Sequence, residues 1–455
     1  MGWNVVVGAG RTGLAVVTHL VKSGQSVILT DRKADPDGAT VAHLAKLGVL
    51  GVWGDHPLTL LEDCDEVILS PGVPARLPFA EEARQRGISV IGELELAHRV
   101  LRARGDGSVV LAITGTNGKS TTTDLTAHLL KAAGLPAIPC GNLGTPLLEA
   151  LQEAAPDTRF ALECSSYQLE TVRDFRAEAA ALLNLTPDHL ARHGNLEAYL
   201  EAKLRVFQHQ GPENLRLTPL SESFADHAPG QGRDARFGWS EPPGEGAWCD
   251  DAGMLHLRDV QGRNHPLISR KELRIPGDHN VENALVAAFL AHHGGADLES
   301  LRQGLRTYPG LAHRMVLCAE RGGVKIYNDS KGTNVDATLT AIRALPGPLV
   351  LLLGGEDKGS SYEPLRFALE GKLRHLVFLG DAIPMLERDL GDLPHHSIWA
   401  FDEAVAQALA LALPGDQVLL SPACASFDQF KNFEQRGEHF EELVREKKIT
   451  TEDTE

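Results

Sequence analysis

Long apolar runs are missing from this sequence. The longest purely aliphatic stretch, Leu349 to Leu353, falls far short of the ~20 residues that a membrane span requires, so no membrane partner is expected. Cysteine is sparse and unpatterned: six residues, at 64, 140, 164, 249, 318 and 424, form no CxxC pair and no disulfide-like rhythm. Free thiols in a reducing cytoplasm are the expectation. The first residues lead straight into a strand pattern, without the basic segment and apolar stretch of a signal peptide, so none is expected. A basic excess is missing too. The net charge of −17 argues against nucleic acid or an anionic membrane surface as partner. It does not exclude a phosphorylated substrate, because backbone N–H groups, a few placed cations and metal ions can hold anions. What is present is the composition of a soluble globular protein, 43% hydrophobic and 23% charged, and 455 residues suffice for roughly three domains.

The first third alternates short apolar runs with helical patterns. "NVVVGAG", "SVILTDR", "EVILSPG" and "ISVIGE" read as strands, with "LAVVTHLVKSG" and "FAEEARQRG" as helices between them. Such alternation predicts a parallel sheet covered by helices. Residues 102–108, "RARGDGS", read as a linker. A second unit begins at "VVLAITG" and continues through "RFALECSS" and "AAALLNLTPDH". Between about 212 and 270 the chain is rich in Gly, Pro and polar residues, and "ARFGW" and "GMLHLRD" read as hairpin strands. A helix over "GDHNVENALVAAFLAHHGG" closes at Gly294 and Gly295. A third unit carries the strands "GVKIYND", "PLVLLLGG", "HLVFLG" and "QVLLSPA", and "KKITTEDTE" reads as a solvated tail.

Gly8, Gly10 and Gly13 have the GxGxxG spacing of a dinucleotide-binding turn, a weak signal by itself. The stronger one is "AITGTNGKSTTT". Its glycines let backbone N–H groups turn toward a phosphate, Lys119 supplies a point charge, and Ser120 offers a hydroxyl to Mg²⁺. One position departs from the usual P-loop: Ile113 stands where a glycine is expected. Glu163 ends the apolar run "RFALE", at the sheet edge where open α/β folds bind ligands, and reads either as an Mg²⁺ ligand or as a structural carboxylate. Asp188, His189 and His193 follow another strand and read more readily as a structural turn than as a functional site. Lys203 in "YLEAKLRVF" is by spacing a helix-surface lysine. Asn280 and Asn283 share one helical face, suited to the edge of adenine, although N-capping also explains Asn280. "LAHRM", "YNDSKGTN", "LGGEDKGSSY" and "LLSPACASFDQFKNFEQRG" lie at a domain entry and after successive strands, where loops of a parallel sheet converge on one edge.

Taken in order, residues 112–123, 162–170, 184–194, 277–284, 311–314, 327–335, 354–359 and 420–437 resemble the motif series of the Mur ligases. "GTNGKST" is shared with folylpolyglutamate synthases and marks only the superfamily, and the P-loop lacking its early glycine fits that pattern. "NDSKGTN" and "LLSPACASFDQFKNFEQRG" are most similar to the member that adds D-glutamate. The resemblance implies a three-domain α/β fold. A Rossmann-like domain over 1–105 would bind the UDP end of the substrate. A P-loop ATPase-like domain with a small β-hairpin region would follow over 106–308. A Rossmann-like domain over 309–455 would bind the amino acid. It implies an ATP-dependent amide ligase, cytoplasmic and monomeric. The enzyme would add D-glutamate to UDP-N-acetylmuramoyl-L-alanine through an acyl phosphate and a tetrahedral intermediate, giving ADP and phosphate, in peptidoglycan precursor synthesis.

The same resemblance implies the site residues. Gly115, Thr116, Asn117, Gly118, Lys119, Ser120 and Thr121 would hold ATP phosphates, Asn280 and Asn283 adenine, Arg314 a phosphate and Asp329 the ribose. Lys119, Glu163, His189 and Lys203 would be catalytic. Two Mg²⁺ ions are implied, one on Ser120 and Glu163, the other on His189 and a carbamylated Lys203. Arg11, Thr12, Asp31, Arg32, Ser70, Pro71, Gly72 and Asn142 would face the UDP substrate, and Lys331, Thr333, Lys358, Ser426 and Phe433 D-glutamate.

Four rivals stand beside this reading. A family ligase for L-lysine or diaminopimelate would want extra acidic groups in the last loops, where "NDSKGTN" and Lys358 favour an anion. Folylpolyglutamate synthesis leaves the N-terminal glycine fingerprint unused. An NAD oxidoreductase explains residues 4–32 and nothing after. A P-loop switch would hydrolyse ATP slowly, with no dependence on an amino acid.

Overall fold

Along the strands of this protein, successive apolar residues enter different cores. In the central strand of the last sheet, Leu349, Leu351 and Leu353 pack into one cluster and Val350 and Leu352 into another. In the first strand of the chain, Val6 enters one core while Val5 and Val7 enter a second. This period of two is what a parallel sheet covered by helices on both faces demands, and it explains why these strands read as unbroken apolar runs. The computed structural model describes residues 2–142, 144–357, 359 and 361–446, and the C-terminal stretch read as a tail lies outside the described residues apart from its approach.

The first sheet contains β1 (Trp3–Val7), β2 (Val27–Asp31), β3 (Leu50–Trp53), β4 (Cys64–Leu69) and β5 (Ser89–Gly92), all parallel, in the order β3-β2-β1-β4-β5. The strand order reverses between β1 and β4, so the glycine turn after β1 sits at the switch point where open α/β sheets bind ligands. Gly8 has φ +101°, and a Cβ on Gly13 would collide with the carbonyl of Gly8. A Cβ on Gly10 meets no protein atom within 4 Å, and Gly10 lines an open cavity.

The second sheet runs from β6 (Val109–Thr114), β7 (Ala137–Gly141) and β8 (Arg159–Glu163) through β9 (Ala179–Leu182), β10 (Leu215–Pro219) and β11 (Arg233–Gly238). It ends with β12 (Gly246–Cys249), β13 (Met254–Arg258) and β14 (Asn264–Ser269). Its order is β14-β13-β12-β11-β10-β9-β6-β8-β7, and only β12, β13 and β14 pair antiparallel. "GMLHLRD" is therefore a hairpin strand, but "ARFGW" is not: it extends the parallel sheet. Residues 220–232 include the short helix Phe224–His227, a crossover that returns the chain parallel, whereas a hairpin needs only a tight turn.

The third sheet holds β15 (Val316–Arg321), β16 (Val324–Asn328), β17 (Leu349–Gly354), β18 (Leu373–Leu379), β19 (His395–Ser397) and β20 (Gln417–Leu420), ordered β15-β16-β20-β17-β18-β19. The β15–β16 hairpin is antiparallel and the rest is parallel. Among the described residues no helix is long and apolar enough to cross a membrane.

The chain forms two compact units, one of Met1–Glu272 with Glu282–Thr307, the other of Leu273–Val281 with Tyr308 onward. Within the first, the two sheets share one continuous core that runs from Val6, Val16 and Leu20 to Val110, Leu148 and Phe160. The helix Glu93–Arg104 joins them, and it shortens the expected linker: residues 102–104 are helical, capped by Gly105 at φ +58°. The basic, glycine-flanked text "RARGDGS" reads as loop because its arginines complement the helix C-terminus rather than an apolar face.

Two buried carboxylates at the start of that helix fix its surroundings. One oxygen of Glu95 accepts the backbone N–H groups of Arg173, Asp174 and Phe175 at 2.9, 3.0 and 3.1 Å. Glu93 accepts the N–H of Leu148 at 2.8 Å, and its second oxygen has no hydrogen-bond partner among the described residues. Burial, helped by the charge of Glu149, pushes the Glu93 carboxyl up to about 7. The folded protein thus holds a proton that the unfolded chain releases near pH 4.5. The stability from this group is fully present below that value and is lost as pH rises through about 7. Glu93→Gln keeps an acceptor for Leu148 and removes the titration. In urea unfolding between pH 5 and 8 the variant is expected to flatten the decline and to be more stable than the parent at pH 8. Identical slopes in both proteins would contradict this account.

Candidate active site

The register of the second sheet sets one site. Glu163 at the end of β8 pairs with Ile113 of β6 on one side and with Gly141 of β7 on the other. It therefore lies between the glycine loop that follows β6 and the segment carrying Asn142. In that loop Gly115 has φ +152° and Gly118 φ +83°, and the helix Lys119–Ala132 starts directly after. A Cβ on Gly118 would collide with the side-chain oxygen of Asn283. Loop residues Thr116, Ser120 and Thr121 are buried.

Asn184, two residues past β9, holds the loop open. Its Oδ1 accepts the N–H groups of Thr116 and Asn117 at 3.1 and 2.9 Å, and its Nδ2 donates to the carbonyl of Asn117 at 3.1 Å. Sequence reasoning passed over Asn184, although it lies one turn before the conspicuous Asp-His pair. Lys119 Nζ folds back onto the carbonyls of Gly115 (2.9 Å) and Thr116 (2.7 Å).

Lys203 is not the surface lysine its helical spacing predicts. It is 1% exposed, donates to the carbonyl of Gly115 at 2.7 Å, and rests over the ring of Tyr199 at 4.4 Å. Burial, and then the charge of Lys119, lower its pKa well below the ordinary lysine value. The ring of Tyr199 also meets the ring of His189, edge to face with centroids 6.1 Å apart, and His189 Nδ1 is 2.9 Å from the Tyr167 hydroxyl. His189 has φ +54°. His193 instead braces Ser166 at 3.0 Å and Glu170 at 3.4 Å.

Glu163 is 2% exposed. One of its oxygens accepts from Asn142 Nδ2 at 2.8 Å, and the other has no hydrogen-bond partner among the described residues. A buried orphan carboxylate oxygen is the donor chemistry a hard cation such as Mg²⁺ takes. Among the described residues no three His, Cys, Asp or Glu side chains converge as a ready-made metal cluster. A site here must be built from mixed donors.

All eight residues expected at the UDP end, Arg11, Thr12, Asp31, Arg32, Ser70, Pro71, Gly72 and Asn142, line a single cavity of about 520 Å³. His56 and Gln168 line it too, and no spacing rule marks either one. Asp31 accepts the N–H groups of Ala9 (2.6 Å) and Lys33 (2.8 Å), which fixes the turn around it. Arg11 pairs with Glu149 at 3.0 Å. Asn142 belongs to this cavity and also bonds Glu163, so it links the cavity to the glycine loop. Asn283, on the helix Asp278–His293, accepts from Thr122 Oγ1 at 3.1 Å.

The second unit carries its own constellation. Asn280 donates to the carbonyl of Pro276 at 2.7 Å; the helix begins at Asp278, so Asn280 lies inside its first turn rather than at the cap. Asp329, past β16, accepts from Ser421 Oγ at 2.7 Å and from the N–H of Met315 at 3.2 Å. Burial pushes its carboxyl up to about 7, against the lowering pull of Ser421 and of the Arg314 charge. Lys331 Nζ lies 3.8 Å from the centre of the Phe433 ring, and Thr333 donates its N–H to the Lys331 carbonyl at 2.8 Å. Ser426 is 2% exposed. Lys358 lies outside the described residues; its neighbour Glu356 exchanges two backbone hydrogen bonds with Ala425.

Arg436 holds these loops together, and sequence reasoning missed it. It is 1% exposed and donates to Ser330 Oγ (3.0 Å) and to the carbonyls of Ser330 (2.8 Å), Ala425 (3.1 Å) and Cys424 (3.2 Å). Burial lowers its pKa to about 10, a cost offset by four placed acceptors.

Comparisons with known proteins agree with this geometry. Residues 3–92 match the family model "Mur ligase MurD-like, N-terminal domain", residues 113–291 "Mur ligase middle domain", and residues 313–424 "Mur ligase, glutamate ligase domain". The chain is 38% identical over 453 residues to the UDP-N-acetylmuramoylalanine–D-glutamate ligase of Alkaliphilus metalliredigens, covering 97% of each chain. It is 41% identical over 449 residues to the enzyme of that name from Pelotomaculum thermopropionicum, covering 97% of this chain and 96% of the relative. Its fold is similar to that of a pseudomurein peptide ligase type C from Methanothermus fervidus, with a TM-score of 0.59 at 16% identity over 98% and 99% of the two chains. It is likewise similar to the UDP-N-acetylmuramate-alanine ligase of Thermotoga maritima, with a TM-score of 0.58 at 19% identity over 98% and 100%. Matched over three successive domains and nearly its whole length, the chain belongs to the Mur ligase family.

Proposed function

We propose that this protein joins D-glutamate to UDP-N-acetylmuramoyl-L-alanine at the expense of ATP, as a monomeric cytoplasmic enzyme of peptidoglycan precursor synthesis. In this reading, domains over 1–105, 106–308 and 309–455 take the UDP substrate, ATP and the amino acid. The observation that carries it is the bond from Asn142 to Glu163. It joins the 520 Å³ cavity at the opening glycine turn to the glycine loop of the second sheet. A nucleotide sugar lying in that cavity with its acid end at Asn142 brings a carboxylate to the place where a γ-phosphate on the loop would meet it.

Amide formation needs this meeting. A carboxylate is a poor acyl donor in water, so its oxygen first takes the γ-phosphoryl group, and ADP leaves. The amine of D-glutamate then attacks the acyl carbon, and the tetrahedral intermediate expels phosphate. Positioning and charge neutralisation supply most of the catalysis of such a transfer. Gly115 to Thr121 offer N–H and hydroxyl groups to the phosphates and Lys119 a positive charge. Ser120 and Glu163 would hold one Mg²⁺, and His189 with carbamylated Lys203 a second; bound Mg²⁺ neutralises phosphoryl oxygens. Burial that lowers the Lys203 pKa favours a neutral amine, the form that adds CO₂ and releases a proton to become a carbamate. Asn280, Asn283, Arg314 and Asp329 would contact the nucleoside and phosphates. Lys331, Thr333, Lys358, Ser426 and Phe433 would receive D-glutamate, whose two carboxylates call for lysines and hydroxyls.

Phosphate release with ATP, Mg²⁺ and UDP-N-acetylmuramoyl-L-alanine is expected to rise on adding D-glutamate and not on adding L-glutamate or L-lysine. No stimulation by D-glutamate overturns the reading. Lys203→Ala is expected to lower turnover about 100-fold, as loss of metal-supporting groups does. ¹³C NMR in labelled bicarbonate should show a carbamate signal in the parent and none in the variant. Near-parental turnover in Lys203→Ala contradicts the assignment.

A further inference from the structure

The two loops that would receive D-glutamate are fastened to each other by their main chains. At the end of β17, Gly354 donates its N–H to the Pro422 carbonyl at 2.9 Å, and Glu356 and Ala425 exchange N–H···O bonds of 3.0 and 3.2 Å. Among the described residues no main-chain bond joins the two loops beyond Glu356. The next residue is Asp357, directly before Lys358 in the sequence.

Tyr362 supplies the next tie. It is 1% exposed and lies in the core that also holds Leu351, Leu353 and Cys424. Its N–H donates to Asp389 Oδ2 at 2.8 Å, which fixes its own main chain. Its hydroxyl lies 2.7 Å from Asp357 Oδ1 and 3.0 Å from Cys424 Sγ. The protons available set the direction of this chain. A carboxylate only accepts, so the single phenol proton goes to Asp357, and the Cys424 thiol donates to the phenol oxygen. Burial, and then Cys424 and Asp357 beside it, hold the phenol far above its ordinary pKa, so the proton stays in place.

A buried phenol needs only one partner. This one stands between two loops, one leading to Lys358 and the other to Ser426. We propose that the Tyr362 hydroxyl is a positioning group for the amino-acid substrate. By joining Asp357 to Cys424 it holds the segment of Lys358 and the loop of Ser426 at one spacing. A ligand with two carboxylates gains from a spacing set beforehand, because a loop ordered in advance spares the ligand the cost of ordering it. Tyr362 acts through the loops and not on the reacting atoms, so its loss is read in the amino-acid KM and not in turnover. This inference rests on the D-glutamate reading proposed above.

The test is steady-state kinetics of the full-length protein with ATP, Mg²⁺, UDP-N-acetylmuramoyl-L-alanine and varied D-glutamate. Tyr362→Phe keeps the ring in the core and removes only the hydroxyl. It is expected to raise the D-glutamate KM about fivefold, the scale of one hydrogen bond, with kcat and the ATP KM within about twofold of the parent. Cys424→Ala opens the chain from its other end and should show the same split. In the double variant the two increases should not multiply, since each breaks one chain. An unchanged D-glutamate KM in Tyr362→Phe overturns the inference. So does an equal rise in the ATP KM, which marks general loosening, and so do effects that multiply. A parent protein with no dependence on D-glutamate overturns the ligase reading and the inference with it.

Discussion

Two lysines share the carbonyl oxygen of Gly115. Lys119 reaches it from four residues away and Lys203 from 88. Gly115 itself adopts, at φ +152°, a backbone conformation that other residues rarely take. Two cations against one carbonyl repel each other, and burial makes the repulsion stronger. Burial first, and then the charge of Lys119, lowers the pKa of Lys203, the more buried of the two. Around this contact the rest of the site is arranged. Asn184 holds the amides of the loop, Glu163 arrives by strand register, and Tyr199 touches both Lys203 and His189.

The same economy appears in the second unit, where Arg436 does for two loops, those of Ser330 and of Cys424–Ala425, what Gly115 does for two lysines. A buried guanidinium is costly unless every donor is matched, and here the acceptors are main-chain carbonyls of the loops to be positioned. Lys331 and Phe433 can then be set against each other. Both units place polar groups at the carboxyl ends of parallel strands and fix the loops with side chains that bond their main chain, Asn184 in the first and Arg436 in the second.

Much of this was legible from the sequence because local chemistry spells it out. Apolar runs between glycine turns gave the parallel sheets, and the glycine-lysine-serine text marked the strand-to-helix loop that the structure shows between β6 and the helix Lys119–Ala132. The eight residues read at the UDP end converge on one cavity. What stayed hidden depends on long-range burial. Lys203 has the spacing of a surface residue, and only the packing of its helix beneath the loop buries it. Asn184, Arg436 and the Glu93–Glu95 pair act through main-chain partners that no side-chain pattern records. "ARFGW" looked like a hairpin strand because parallel and antiparallel edge strands share one alternation, and the short crossover helix before it is weak in sequence. Lys203 drew a functional role only through resemblance, and its burial now supplies a physical reason. The opening glycine turn keeps its fold reading, and the ligand proposed for it is the UDP of a sugar nucleotide rather than a dinucleotide.

The central claim is that ATP activates the carboxylate of the nucleotide-sugar substrate rather than being hydrolysed beside it. It is tested most directly by labelling both carboxylate oxygens of UDP-N-acetylmuramoyl-L-alanine with ¹⁸O and analysing the phosphate released with ATP, Mg²⁺ and D-glutamate by mass spectrometry. The account predicts one ¹⁸O atom per phosphate, carried over when the tetrahedral intermediate collapses. Phosphate carrying no label would contradict it.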